Sequence, residues 1–116
     1  MAAARFQLYR PAGSGVRWRF LSANNRSLGQ SALVFPTVEA CLKSVDDLRE
    51  HLIDSTTAMS RDEKLWSWRL RLEGCVLAVS SRSYHRRVQA QYACRSFVEL
   101  VAHAPTVGRY PVEQMW

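Results

Sequence analysis

Residues 16–35 read VRWRFLSANNRSLGQSALVF, and residues 66–84 read WSWRLRLEGCVLAVSSRSY. Each stretch opens on an alternating strand with a Trp-Arg pair and turns through Asn or Gly. Each then runs into a second strand and reaches an aromatic ahead of a helical pattern. Trp18, Arg19 and Phe20 match Trp68, Arg69 and Leu70 at an offset of 50. Past the turn, Leu28 matches Leu77 and Phe35 matches Tyr84 at an offset of 49. One residue is lost inside the turn, as a three-residue Ala23-Asn24-Asn25 loop and a two-residue Glu73-Gly74 loop require. Asn and Gly tolerate the positive φ of tight hairpins. The offset of 49 continues through Val45 and Cys94, Leu48 and Phe97, and Leu52 and Val101. Such a period predicts two copies of one unit.

The pattern within each copy predicts three strands and a helix. Arg5–Tyr9 alternates and forms a first strand, Val16–Ser22 a second and Ser27–Leu33 a third. Pro36 breaks the strands, and Thr37 is placed to cap a helix. Val38, Cys41, Leu42, Val45, Leu48, Leu52 and Ile53 recur at helical spacing. The second copy places a first-strand counterpart near 54–60, a charged turn at Arg61–Lys64, and strands over Leu65–Leu72 and Val76–Ser80. Its helix runs over Val88–His103, and a short last strand lies within Thr106–Val112. The expected fold is α+β: one domain over 1–116, with repeats about 5–54 and 55–112. Two β-β-β-α(-β) units form one mostly antiparallel sheet with both helices on one face.

These residues resemble the YegP-like family of small tandem-repeat domains. That family carries W/F-R-L-x-A-x-N-G and S-x-x-Y. Trp18-Arg19-Phe20 with Ala23-Asn24-Asn25 stands at the first place. Trp68-Arg69-Leu70 with Glu73-Gly74 and Ser81-x-x-Tyr84 stands at the second. Neither turn has a full Asn-Gly, and Phe35 replaces the usual Tyr. The resemblance covers nearly the whole chain. It implies two βββα(β) repeats in one sheet, with the strands after the helices exchanged between halves. It brings no catalytic residues.

Composition narrows the function classes. A chain of 116 residues buries enough surface to need no disulfide or metal staple. Three cysteines with no CxxC pair predict a reducing compartment, hence the cytoplasm. The N-terminus MAAARFQLY has no apolar h-region and reads as strand rather than signal peptide. No run reaches the ~18 apolar residues of a membrane span. No GxGxxG, P-loop, GxSxG or HExxH is present. His51, His85 and His103 are scattered. We therefore expect no enzyme, cofactor, metal site or small-molecule substrate. Cys41 and Cys94 fall on inward helix faces, and Cys75 sits at a turn.

Net charge is +6, carried by 14 Arg and 2 Lys. A basic balance suits an anionic partner, and it equally follows from a coding bias toward Arg. Arg17, Arg19, Arg69 and Arg71 alternate with the inward tryptophans. They should share the helix-free sheet face with Ser27, Gly29, Ser31, Val76, Ala78 and Ser80. That makes either an anion-binding platform or an ordinary wet sheet face. Arg82, His85, Arg86 and Arg87 surround Tyr84 at the second helix start. Positive charge there opposes the macrodipole, so the cluster either neutralises an anion or stands in solvent. Tyr9 alone among the aromatics has outward parity. Met115 and Trp116 end the chain as candidate partner contacts. The favoured function is a non-catalytic module that binds a protein or a second copy of itself. The alternative is nucleic acid or another polyanion held by the arginines.

Overall fold

The computed structural model describes residues 3–11, 13–104 and the backbone of 112–114. Its order is β1 (Arg5–Arg10), β2 (Arg17–Leu21), β3 (Ser27–Gln30), α1 (Val38–His51), a 3-10 turn (Leu52–Asp54), β4 (Thr56–Asp62), β5 (Leu65–Leu72), β6 (Cys75–Ser80), α2 (Arg87–His103) and β7 (Val112–Gln114). The fold is α+β, as expected. Six antiparallel strands form the order β4-β5-β6-β3-β2-β1, and β7 adds in parallel to β1. The expected last strand within 106–112 lies outside the described residues except for Val112. Met115 and Trp116 also lie outside them.

Local chemistry explains the elements. Thr37 is extended, and its Oγ1 accepts the Ala40 N–H at 3.1 Å, closing the first turn of α1. The Ala23–Asn25 loop closes when the Ser22 N–H donates to Arg26 O, with Asn25 at φ 67°. Glu73 and Gly74 both have positive φ (50° and 85°), as a two-residue hairpin between twisted strands demands. The charged turn is shorter than expected. Arg61 and Asp62 belong to β4, and Glu63 alone of the non-glycine residues there takes positive φ.

Both helices cover one sheet face. Trp18, Phe20, Trp68 and Leu70 alternate onto it and are buried with Val45, Leu48, Cys94, Phe97 and Val101 from the helices. Phe97 is the central knob. Its ring meets Phe20 edge-on at 5.6 Å and tilts against Trp68 at 4.8 Å. Gly29 lies beneath it on β3.

The two tryptophans differ in one bond. Trp18 Nε1 donates to Ser44 Oγ on α1 at 2.9 Å. Trp68 Nε1 is buried without a partner. Forty-nine residues after Ser44 stands Ala93, which has no acceptor to offer. Replacing Ala93→Ser is expected to supply one. A hydrogen bond to an orphaned donor gains about 0.5–1.5 kcal/mol, and serine in a helix costs roughly 0.5 kcal/mol against alanine. Urea unfolding should show a small net stabilisation. A loss of stability would show that the hydroxyl does not reach the indole.

Candidate functional site

The helix-free sheet face is ordered by strand register. One row across it runs Ala58, Arg69, Val79, Gln30, Arg19 and Gln7. Arg71 lies opposite Thr56 and Val76, and Arg17 lies opposite Tyr9. The four arginines do share this face, but as two separated pairs. Three strand spacings divide Arg69 from Arg19, about 14 Å, with Val79 and Gln30 between them.

Several neighbours differ from expectation. Register shifts at Phe20/Leu21 and Leu70/Arg71 insert an extra residue into the partner strands. A bulge swaps the faces of everything beyond it. Gly29 and Ala78 therefore point to the helices opposite Phe20 and Leu70. Ser31 and Ser80 turn the same way, and their Oγ atoms accept from the Trp18 and Trp68 N–H groups at 3.4 and 3.3 Å. Only Ser27 and Val76 keep the expected outward direction. Tyr9 is outward but not exposed; it is 8% accessible, with the Arg19 guanidinium 4.8 Å above its ring.

Two of these arginines serve the fold itself. Arg17 donates to Ser31 O. Arg19 Nε donates to Gln7 Oε1 while its guanidinium stacks on Tyr9. Arg69 Nε is buried without a hydrogen-bond partner, and Arg71 is exposed. On α1, Lys43 pairs with Asp47 at 3.3 Å.

The second basic group lies at the other side of the molecule. Arg82, His85, Arg86 and Arg87 are exposed around the start of α2. Arg86 is the N-cap, and Gln89 Oε1 accepts its backbone N–H at 3.1 Å. No carboxylate stands in the first turn. The Arg87 guanidinium sits over Trp66 at 5.7 Å, with Arg61 over the same ring at 5.9 Å. Trp66 shares the parity of Trp68 and so faces the helix side. The structure therefore keeps the two basic groups on opposite faces of the sheet.

A cleft beside β4 was not foreseen. It has a volume of about 570 Å³ and opens between β4 and α2. Met59, Cys94 and Val98 form its apolar floor; Arg87 and Arg95 stand on its rim, with Glu99 at one end. Cys94 is buried, and burial raises its thiol pKa, partly offset by the Thr57 hydroxyl 3.6 Å away. Cys41, also buried, is pushed up to about 11 by desolvation. Both are core thiols held protonated. Cys75 is the exposed one. The signal for the cleft lies in the residues of β1 and β4. β1 places Phe6 and Leu8 opposite Phe20 and Trp18, while β4 places Thr57 and Met59 opposite Leu70 and Trp68. Phe6 is a buried wall; Thr57 in the same place is small and exposed. Among the described residues, no group of three or more His, Cys, Asp or Glu is placed to hold a metal ion. No described helix is long and apolar enough to cross a membrane.

The class is thus an α+β domain with an open, mostly antiparallel sheet and two helices on one face. Its fold is YegP-like. The solution structure of yegP, a protein of unknown function from E. coli, superposes with a TM-score of 0.73 at 12% identity, covering 98% of this chain and 94% of that one. A UPF0339 protein of Shewanella oneidensis superposes with a TM-score of 0.74 at 9% identity, covering 97% and 91%. No protein-family model and no curated protein matches the chain.

Proposed function

We propose that the chain is a tandem of two β-β-β-α units acting as a non-catalytic interaction module, and that a partner protein docks by adding a strand to β4. The carrying observation is an asymmetry between two equivalent edges. β1 is covered by β7, whereas β4 stands at the sheet edge. An uncovered edge strand presents unpaired N–H and C=O groups, and extended peptides bind such edges through main-chain hydrogen bonds. Thr56–Ser60 carries no charge and no proline to guard against this. Matching registers, Leu8 opposite Trp18 and Met59 opposite Trp68, support the tandem reading. Three unpaired thiols fit a reducing compartment such as the cytoplasm.

A second reading, polyanion binding, draws on the net charge of +6 and the exposure of Arg71, Arg82, Arg86 and Arg87. One experiment separates the two. The immobilised chain is challenged with lysate before and after nuclease treatment, alongside Met59→Lys and the double variant Arg69→Gln with Arg71→Gln. Strand addition predicts capture by wild type and by the arginine variant, with loss in Met59→Lys, since a charge on the inward row of an edge strand discourages pairing. Capture that vanishes with nuclease or in the arginine variant would move the function to the other face.

A further inference from the structure

The proposed docking edge also specifies the chemistry of its occupant. This step rests on the strand-addition reading and adds to it a direction, a register and a charge.

Direction and register come from the equivalent edge. β7 runs parallel to β1, with Val112 opposite Leu8 and Gln114 opposite Arg10. Leu8 and Met59 each lie opposite a buried tryptophan, so Arg10 and Arg61 are equivalent as well. Ala104, which follows α2, is held by the first helix. Arg49 Nη2 on α1 donates to Ala104 O at 2.9 Å, and Ala104 packs on the core. The α2 residue equivalent to Arg49 is Val98, in the floor of the cleft. The first half thus has its edge strand paired by β7 of its own chain. The second half has the β4 cleft, with no segment of the described chain along its edge.

Charge comes from the residues that differ between the halves. Forty-nine residues separate Val38 from Arg87 and Asp46 from Arg95, so an apolar and an acidic position become two arginines. Arg61 joins them at the Arg87 end, because both guanidiniums sit over Trp66. Arg87 and Arg95 outweigh Glu99 in the lining, and Arg61 adds a third cation next to it at Trp66. The floor of Met59, Cys94 and Val98 suits an apolar side chain, since Thr57 leaves empty the volume that Phe6 fills in the other half.

We infer that the β4 cleft takes an extended segment of a partner protein running parallel to β4, with an apolar residue beside Met59 and, two residues further on, a carboxylate facing Arg61 and Arg87. Residues two apart in a strand share a face, so both side chains enter the same cleft. Arginine pairs with carboxylate through two parallel hydrogen bonds, which gives the acidic position its selectivity.

The test uses a defined probe on the full chain. The probe is a synthetic peptide of the sequence of residues 108–116 carrying Gln114→Glu, compared with the same peptide carrying Gln114→Lys. Binding is followed by two-dimensional amide NMR. The expected result is shifts along 56–62 and α2, with the glutamate peptide binding at least about tenfold tighter than the lysine one, a gap of ~1.4 kcal/mol. Arg87→Glu, an exposed change, should abolish the preference. Equal affinity of the two peptides at the β4 edge would remove the acidic specificity and leave strand addition standing. Shifts confined to β1, or no shifts from either peptide, would overturn the proposed site. A concentration-dependent dimer with shifts at β4 and no peptide added would assign the cleft to a second copy and overturn it too.

Discussion

Replacing Phe97→Ala is expected to destabilise the chain by about 3–5 kcal/mol, the range for emptying a buried aromatic site. Domains of this size are held by roughly 5–15 kcal/mol in total, so the variant should stand near its unfolding midpoint at modest urea. The cause is the position of the ring. Phe97 is fully buried and touches Phe20 from β2 and Trp68 from β5. It therefore ties together strands from both halves of the sheet. Those strands are joined directly only through β3 and β6, by the pairs Gly29–Ser80 and Gln30–Val79. Removing the ring leaves that short seam without its cover. Val88 on the same helix is 64% exposed, and Val88→Ala should change stability by no more than about 0.5 kcal/mol. Urea midpoints for the two variants give the comparison. Equal effects would show that the helix does not pack as described.

Gly29→Ala is the second large effect, and it comes from adding one methyl group. A Cβ at Gly29 would lie 2.6 and 2.8 Å from two Phe97 ring carbons and 2.9 Å from Trp68. All three distances are well inside ordinary contact. Neither ring can withdraw, because each is wedged against other buried groups. Overpacking of this kind costs about 1–3 kcal/mol. The mutant should also lose the fixed Phe97–Trp68 geometry, seen as shifted ring resonances. Gly74→Ala tests a different mechanism. Its Cβ would meet nothing within 4 Å, but φ is +85°. The cost there is backbone strain of about 1 kcal/mol, with ring resonances unchanged. Ring shifts in Gly74→Ala and none in Gly29→Ala would contradict the packing.

Much of this architecture was legible in the sequence, because the features that set it are local. Alternation around Trp18 and Trp68 marked the inward faces of β2 and β5. Thr37 marked the start of α1, and Glu73-Gly74 marked a hairpin. Inward spacing placed Cys41 and Cys94 in the core. What could not be read depends on pairing between distant strands. The bulges between β2 and β3 and between β5 and β6 reverse Gly29, Ser31, Ala78 and Ser80, and a period of two carries no sign of an inserted residue. The arginines were placed on the correct face, but their separation follows from β3 pairing with β6 at the sheet centre. Tyr9 had outward parity, yet Arg19 covers it. The cleft escaped notice for the same reason. The change from Phe6 to Thr57 was visible once the two strands were aligned, but only the strand order makes β4 an edge.

That edge is best tested by backbone amide hydrogen exchange on the chain alone and with a captured partner. An uncovered strand has alternate N–H groups open to solvent. Alternate amides within Thr56–Asp62 should exchange rapidly in the isolated chain and become protected in the complex. Protection that appears on the strands bearing Arg69 and Arg71, or around Arg82–Arg87, while Thr56–Asp62 stays unchanged, would contradict it.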